Sequence, residues 1–183
     1  MRLPVALLVL LTALPAAARD WRMIDDESSL AFTFKQMGSP VTGRFETFTA
    51  AISFDPAAPD AASVEAVIEI ASVDTGNAER DAGIGGPDWF DAATYPTARF
   101  VSTGFTATGG DSYDVAGELT IRDVTDAVVL PMTIAVDGDR AVATGTLELD
   151  RTTFGVGQGD WASATAVGHE VLLEIEVVAT AED

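Results

Sequence analysis

Residues 113–136 read YDVAGELTIRDVTDAVVLPMTIAV, and the spacing of their apolar positions decides the fold class. Tyr113, Val115, Gly117, Leu119 and Ile121 alternate with Asp114, Glu118, Thr120 and Arg122. Val128, Leu130, Met132, Ile134 and Val136 then form a second stripe. Apolar residues at every second position specify strands with one buried face, because successive side chains of a strand point to opposite sides. Outward from this pair the same period recurs. Leu147 and Leu149 stand opposite Thr146, Glu148 and Asp150, and Val171, Leu173, Ile175 and Val177 opposite Glu170, Glu174 and Glu176. Upstream, Val64, Ala66, Ile68 and Ile70 face away from Glu65 and Glu69, while Leu30, Phe32 and Phe34 alternate with Ser29, Ala31, Thr33 and Lys35.

One segment changes phase. Val41, Gly43 and Phe45 occupy odd positions, but Phe48, Ala50, Ile52 and Phe54 occupy even ones. A slip of one residue indicates a β-bulge or sharp bend, the device by which barrels turn corners. Turn residues separate the runs at Gly38-Ser39-Pro40, Asp55-Pro56 to Pro59-Asp60, Gly109-Gly110-Asp111 and Asp137-Gly138-Asp139. Residues 75–97 alone lack alternation and have helical or turn character. The expectation is an all-β fold: an eight-stranded antiparallel up-and-down β-barrel with a short helical or irregular insert. Such a ring is either filled by its own side chains or just wide enough for one ligand.

The N-terminus carries an export signal. Met1-Arg2 precedes an apolar run from Leu3 to Leu14, and Ala16-Ala17-Ala18 supplies small residues for cleavage. The run is shorter than the roughly 20 residues a spanning helix needs. Residues 1–18 are therefore expected to be a signal peptide and residues 19–183 one barrel domain, periplasmic in a Gram-negative source, with no stable membrane span. Lys and Arg number 10 against 29 Asp and Glu, a formal net charge of −19. That surface repels nucleic acid and anionic headgroups, so no nucleic-acid partner is expected. Much of the acidity belongs to the solvated face of the sheet.

Signals for catalysis are few. The sequence has no cysteine and one histidine, which removes disulfides, thiol nucleophiles and His/Cys zinc sites. His169 opens the last strand beside Glu170, and strand neighbours point to opposite faces; it reads as an exposed strand-end residue. Asp74, Asp81, Asp88 and Asp91 surround the insert as helix caps, calcium ligands or catalytic groups, without the spacing of an EF-hand loop. Gly83, Gly85 and Gly86 lack the lysine of a phosphate loop. The inward stripes mix large apolar residues with Gly43, Ala66, Ser102, Gly117, Ala143 and Gly145. These small residues either interlock with large ones to fill the interior or clear a channel for an elongated apolar ligand.

An ordered set of motifs identifies a family resemblance. It runs from Trp21, Asp25 and Ser29-Leu30-Ala31-Phe32 through Val41-Thr42-Gly43-Arg44-Phe45 and Ile52-Ser53-Phe54-Asp55 to Ala71-Ser72-Val73-Asp74-Thr75-Gly76-Asn77. It continues with Arg80-Asp81, Trp89-Phe90-Asp91, Tyr95-Pro96-Thr97-Ala98-Arg99-Phe100, Gly117-Glu118-Leu119-Thr120-Ile121, Asp150-Arg151 and Phe154-Gly155-Val156-Gly157. From Trp21 to about Ala179 the chain resembles the YceI-like proteins, lipocalin-like bacterial barrels linked to polyisoprenoid and other long-chain lipid or amide ligands. It departs from them at Gln36, Gly83-Ile84 and Asp123, where many members have histidine, His-Leu and glycine. Family roles that rest on those histidines, metal binding included, are not carried over.

The resemblance implies a non-catalytic carrier with no cofactor or metal, whose partner is a long-chain apolar small molecule: a polyisoprenoid, isoprenoid quinone or fatty-acyl lipid or amide. A homodimer stays open. Expected ligand contacts are Phe32, Phe34, Phe45, Trp89, Phe90, Phe100, Leu119, Ile121, Leu130, Met132, Ile134, Leu147, Phe154, Val171 and Leu173. Arg80 and Asp81 either meet a polar headgroup or form a salt bridge that pins the insert. The rivals are a secreted hydrolase or lyase using insert carboxylates, and a ligand-free structural or interaction barrel. Export makes a direct prediction: N-terminal sequencing of exported protein should begin Arg19-Asp20-Trp21, and retention of Leu3 to Leu14 would overturn the secretion reading.

Overall fold

In the computed structural model, which describes residues 18–182, the alternating segments form one antiparallel sheet that closes on itself. The signal-peptide reading rests almost wholly on residues 1–17, which lie outside the described residues. Eight strands make the ring: β1 (Arg19–Met23), β4 (Phe48–Phe54), β5 (Ser63–Glu69), β7 (Thr97–Gly109), β8 (Ser112–Ile121), β9 (Val124–Asp137), β10 (Arg140–Asp150) and β11 (Val167–Ala181). Pairing of β1 with β11, Trp21 opposite Ala181 and Met23 opposite Ala179, closes it. That closure pairs the edges that β1 and β11 would otherwise expose.

Three further strands, β2 (Ser29–Gln36), β3 (Ser39–Phe45) and β6 (Val73–Asp74), continue the lines of β1, β4 and β5 beyond bends. The bend between β3 and β4 falls at Glu46 and Thr47, where the hydrophobic phase slips. The other two bends also shift the inward phase, from Trp21 in β1 to Leu30 and Phe32 in β2 and from Ile68 in β5 to Val73 in β6. Between β1 and β2 the Ser28 hydroxyl donates to the Ile24 carbonyl (2.8 Å) and accepts from the Val178 amide (3.0 Å), replacing ladder bonds with a side chain. Between β5 and β6, Ile70–Ser72 forms a 3-10 turn whose Ser72 hydroxyl donates to the Glu69 carbonyl (2.7 Å). The long β11 pairs with β10 throughout and, on its other side, first with β2 and then with β1.

One end of the barrel is sealed by aromatics. The Trp21 indole donates to the Phe54 carbonyl at 2.9 Å. The Phe54 ring meets Tyr113 edge-on, centroids 5.3 Å apart, and Phe105 at 5.9 Å. All four side chains are buried. The surface ion pairs Arg19–Asp139, Arg44–Asp74 and Arg99–Glu65 are solvent-exposed and contribute little beside this burial.

The small residues on the inward stripes divide by role. Ala66 and Ala143 line open interior space. Gly43, Gly117 and Gly145 do not: the position of a Cβ on each is already taken by Phe32, Phe100 and Met132, respectively. Phe32 and Met132 are the direct cross-strand partners of Gly43 and Gly145. Each glycine thus lets a large neighbour lie along the wall instead of projecting across the barrel. Ser102 faces neither space, because a register shift at Ser102–Gly104 turns its hydroxyl to accept from the Val64 amide (2.8 Å). Gly117→Ala should therefore overpack against Phe100 and lower unfolding stability by about 1–3 kcal/mol. Urea unfolding of Gly117→Ala, Phe100→Leu and the double variant should show non-additivity, with only part of the loss recovered in the double variant because the added Cβ also meets the Val101 carbonyl at 2.7 Å.

Candidate binding lumen and its cap

Two apolar cavities lie in series within the ring, about 120 Å³ beneath the insert and about 180 Å³ toward the sealed end. Neither exposes polar surface. The upper one is lined by Phe32, Phe34, Phe45, Trp89, Phe90, Ile121, Phe154 and Val171, and the lower by Phe100, Leu130, Met132, Ile134 and Leu147, while Leu119 and Leu173 border both. The fifteen expected contacts therefore all reach the interior. Leu30 and Ile68, which border both cavities, and Phe54 and Val64 at the lower one stand on the alternating stripes but not among the expected contacts, and Trp21 and Ala179 complete the lower wall.

The insert closes the upper end. After β6, the Asn77 side chain caps α1 (Ala78–Ile84) by accepting from the Arg80 amide at 3.0 Å. Ile84 is the buried residue of this helix, and Trp89 and Phe90 follow it into the wall. Asp81 accepts from the amide and hydroxyl of Thr75 (2.9 and 2.6 Å), both on Oδ1, and so fastens the helix to the residue that follows β6. No ion pair joins Arg80 to Asp81 among the described residues. Of the two expected headgroup contacts, only Arg80 borders open space, a vestibule of about 340 Å³ shared with Gln36, Asn77, Glu79 and Trp161. Phe34, Ile84, Trp89 and Val167 line both vestibule and upper cavity, so they form the partition between them.

The second half of the cap is a loop organised by Arg151, which the sequence marks only as part of a motif. Its guanidinium is 5% exposed and spends all five N–H donors on carbonyls. Nε donates to Gly168 (2.9 Å), one terminal nitrogen to Val156 and Gly157 (2.7 and 3.0 Å), and the other to Trp161 and Val167 (2.6 and 2.9 Å). The cation also lies over the Trp89 ring, 5.3 Å from its centroid. Burial pulls its pKa below the usual guanidinium value, partly offset by neighbouring Asp150. Asp150 accepts from the hydroxyl and amide of Thr152 (2.6 and 2.8 Å), which holds its carboxyl below the ordinary range. Gly157, at φ 80°, is required here twice: by its left-handed backbone and because a Cβ would strike the guanidinium.

Insert and loop are stitched together. The Asp88 carbonyl accepts from the amides of Gly157 and Gln158 (2.8 and 2.7 Å). Arg122 donates to the carbonyls of Pro87 (3.0 Å) and Trp89 and stacks on Tyr95. His169 is half-buried, not exposed: its Nε2 donates to the Ala162 carbonyl (2.8 Å) and so ties the loop to β11. The insert carboxylates do not converge. Asp74 pairs with Arg44 and accepts from the Gly76 amide, and no group of three metal-ligating side chains occurs among the described residues.

A closed antiparallel ring around an apolar lumen, capped by one short helix, defines a hollow up-and-down β-barrel of eight strands. The chain belongs to the YceI-like family, whose model, described as the YceI-like domain, matches residues 21–179. It is 38% identical to a UPF0312 protein of Pseudomonas savastanoi pv. phaseolicola over 157 residues, covering 80% of this chain and 81% of that one. Burkholderia cenocepacia BcnA, 37% identical, superposes with a TM-score of 0.84 over 86% of this chain and 99% of its own. The Campylobacter jejuni YceI protein, 28% identical, gives 0.70 over 79% and 86%. A polyisoprenoid-binding domain from Saccharophagus degradans, 17% identical, shares the fold, with a TM-score of 0.72 over 90% and 99%.

Arg151→Met should leave several buried carbonyls without donors and lower unfolding stability by at least about 3 kcal/mol. Arg151→Lys, with three donors in place of five, should restore only part of it. Amide exchange at Gly157 and Gln158 should accelerate in both variants, and unchanged exchange would show that Arg151 does not hold the cap.

Proposed function

We propose that this protein encloses the chain of a polyisoprenoid, an isoprenoid quinone or a fatty-acyl lipid or amide, and carries it in the periplasm without altering it chemically. The observation that carries this reading is the polar-free lumen, partitioned from a polar vestibule by Phe34, Ile84, Trp89 and Val167. An apolar chain loses no hydrogen bonds in such a space. Each buried CH₂-sized group contributes about 0.8 kcal/mol, so a few five-carbon units suffice for tight binding. A polar head remains in the vestibule, where Arg80 and Gln36 offer donors. Family membership supports this reading, as does the polyisoprenoid-binding neighbour of the same fold. Against catalysis stands the lumen's content: among the described residues Arg151 is its one charged lining residue, and every donor it has is engaged. The export signal supports the periplasmic assignment.

Gently purified full-length protein, extracted with organic solvent and analysed by mass spectrometry, should yield about one long-chain lipid per chain. Arg80→Gln should weaken retention of lipids bearing an anionic head more than retention of neutral prenyl alcohols. Absence of bound lipid even after feeding with prenyl alcohols and fatty acids would overturn the carrier reading, and turnover of the extracted lipid would replace it with an enzymatic one.

A further inference from the structure

We infer that the lumen is a ruler: it selects a ligand by the length of its chain and requires that chain to be apolar to its tip. The inference rests on the binding reading above. Four side chains on four strands, Leu30, Ile68, Leu119 and Leu173, line both cavities and form a waist between them. Beyond the waist the space exists because the walls carry small residues, among them Ala50, Ala66, Ala141, Ala143 and Ala179. It stops at Trp21 and Phe54, whose indole-to-carbonyl bond of 2.9 Å and packing on Phe105 and Tyr113 make a rigid floor. From Val171 in the upper cavity to Ala179 at the floor, β11 advances far enough to give a depth of about 20 Å, at ~3.3 Å per residue and a tilt of ~40°.

A chain entering from the vestibule therefore gains affinity with each added carbon only until its tip meets the floor. Below that limit each CH₂ group tightens binding about fourfold. Above it the extra carbons gain nothing and push the head out of the vestibule. A polar group at the tip would find no hydrogen-bond partner, because the lower cavity exposes no polar atom and the Trp21 N–H is already taken.

The test is a titration of delipidated protein with linear primary alcohols of increasing length and with α,ω-diols of the same lengths, read by tryptophan fluorescence and calorimetry. Affinity should climb about fourfold per carbon and then break to a plateau, and diols long enough to pass the waist should bind at least tenfold more weakly than the matching alcohols. Ala143→Leu, which fills the lower cavity, should move the break to shorter chains, and Phe54→Leu, which lowers the floor, should move it to longer ones. The wild-type profile decides the matter even if a variant fails to fold: affinity that rises without a break, or diols that match alcohols, overturns the ruler while leaving the carrier reading intact. If no alcohol of any length binds, the carrier reading falls first and the ruler with it.

Discussion

Among the described residues no buried side-chain polar atom lacks a hydrogen-bond partner, and in the loop of the cap one cation gathers five carbonyls. Arg151 takes the carbonyls of Val156, Gly157, Trp161, Val167 and Gly168, and so joins the loop to the start of β11. A buried guanidinium without a carboxylate partner is costly in isolation. Here its charge meets five carbonyl dipoles and the face of Trp89, so the geometry of the whole loop from Arg151 to Gly168 is dictated by one planar fork. Lysine cannot reproduce it.

Hollowness arises from a second constraint. A ring of eight strands has an interior that ordinary side chains fill, so leaving space demands that some large residues be moved aside. Phe32, Phe100 and Met132 are moved aside by Gly43, Gly117 and Gly145, whose missing side chains let those groups lie along the sheet. The glycines are thus not windows onto the ligand space but recesses in the wall. The windows are the alanines, Ala66 and Ala143 among them, which leave open volume because nothing opposite reaches across.

Much of this was legible in the residues. Strict alternation from Tyr113 to Val136 and in β11 marks strands with one buried face, and the phase slip between Phe45 and Phe48 marks a bend that the structure contains. Those stripes also carry the lumen wall, because inward on a closed ring means facing the lumen. What escaped were features that depend on three-dimensional closure. Ser28 and Ile70–Ser72 bend strands through side-chain and turn hydrogen bonds, and the short β1 and two-residue β6 carry too few apolar positions for their change of phase to be read. Asp81 looked as ready for a headgroup as Arg80, but one of its carboxylate oxygens fastens Thr75. Arg151 gave no sign of burial, since an arginine after a strand is usually solvated; its partners lie up to 17 positions away, on a loop without periodicity.

The seam of the barrel joins the first strand to the last: Trp21 lies opposite Ala181, with Ile52 on its other side. No shorter length of chain can complete the ring. While the polypeptide is being made or threaded through a pore, β1 emerges before the other strands of the ring and waits for β11, the last of the eight. Contacts so distant in sequence form slowly, and until they form the apolar stripes face solvent. The lumen is complete only once that seam has formed. A lipid present at that moment would be enclosed by the chain as it closes, with no need for the finished cap to open.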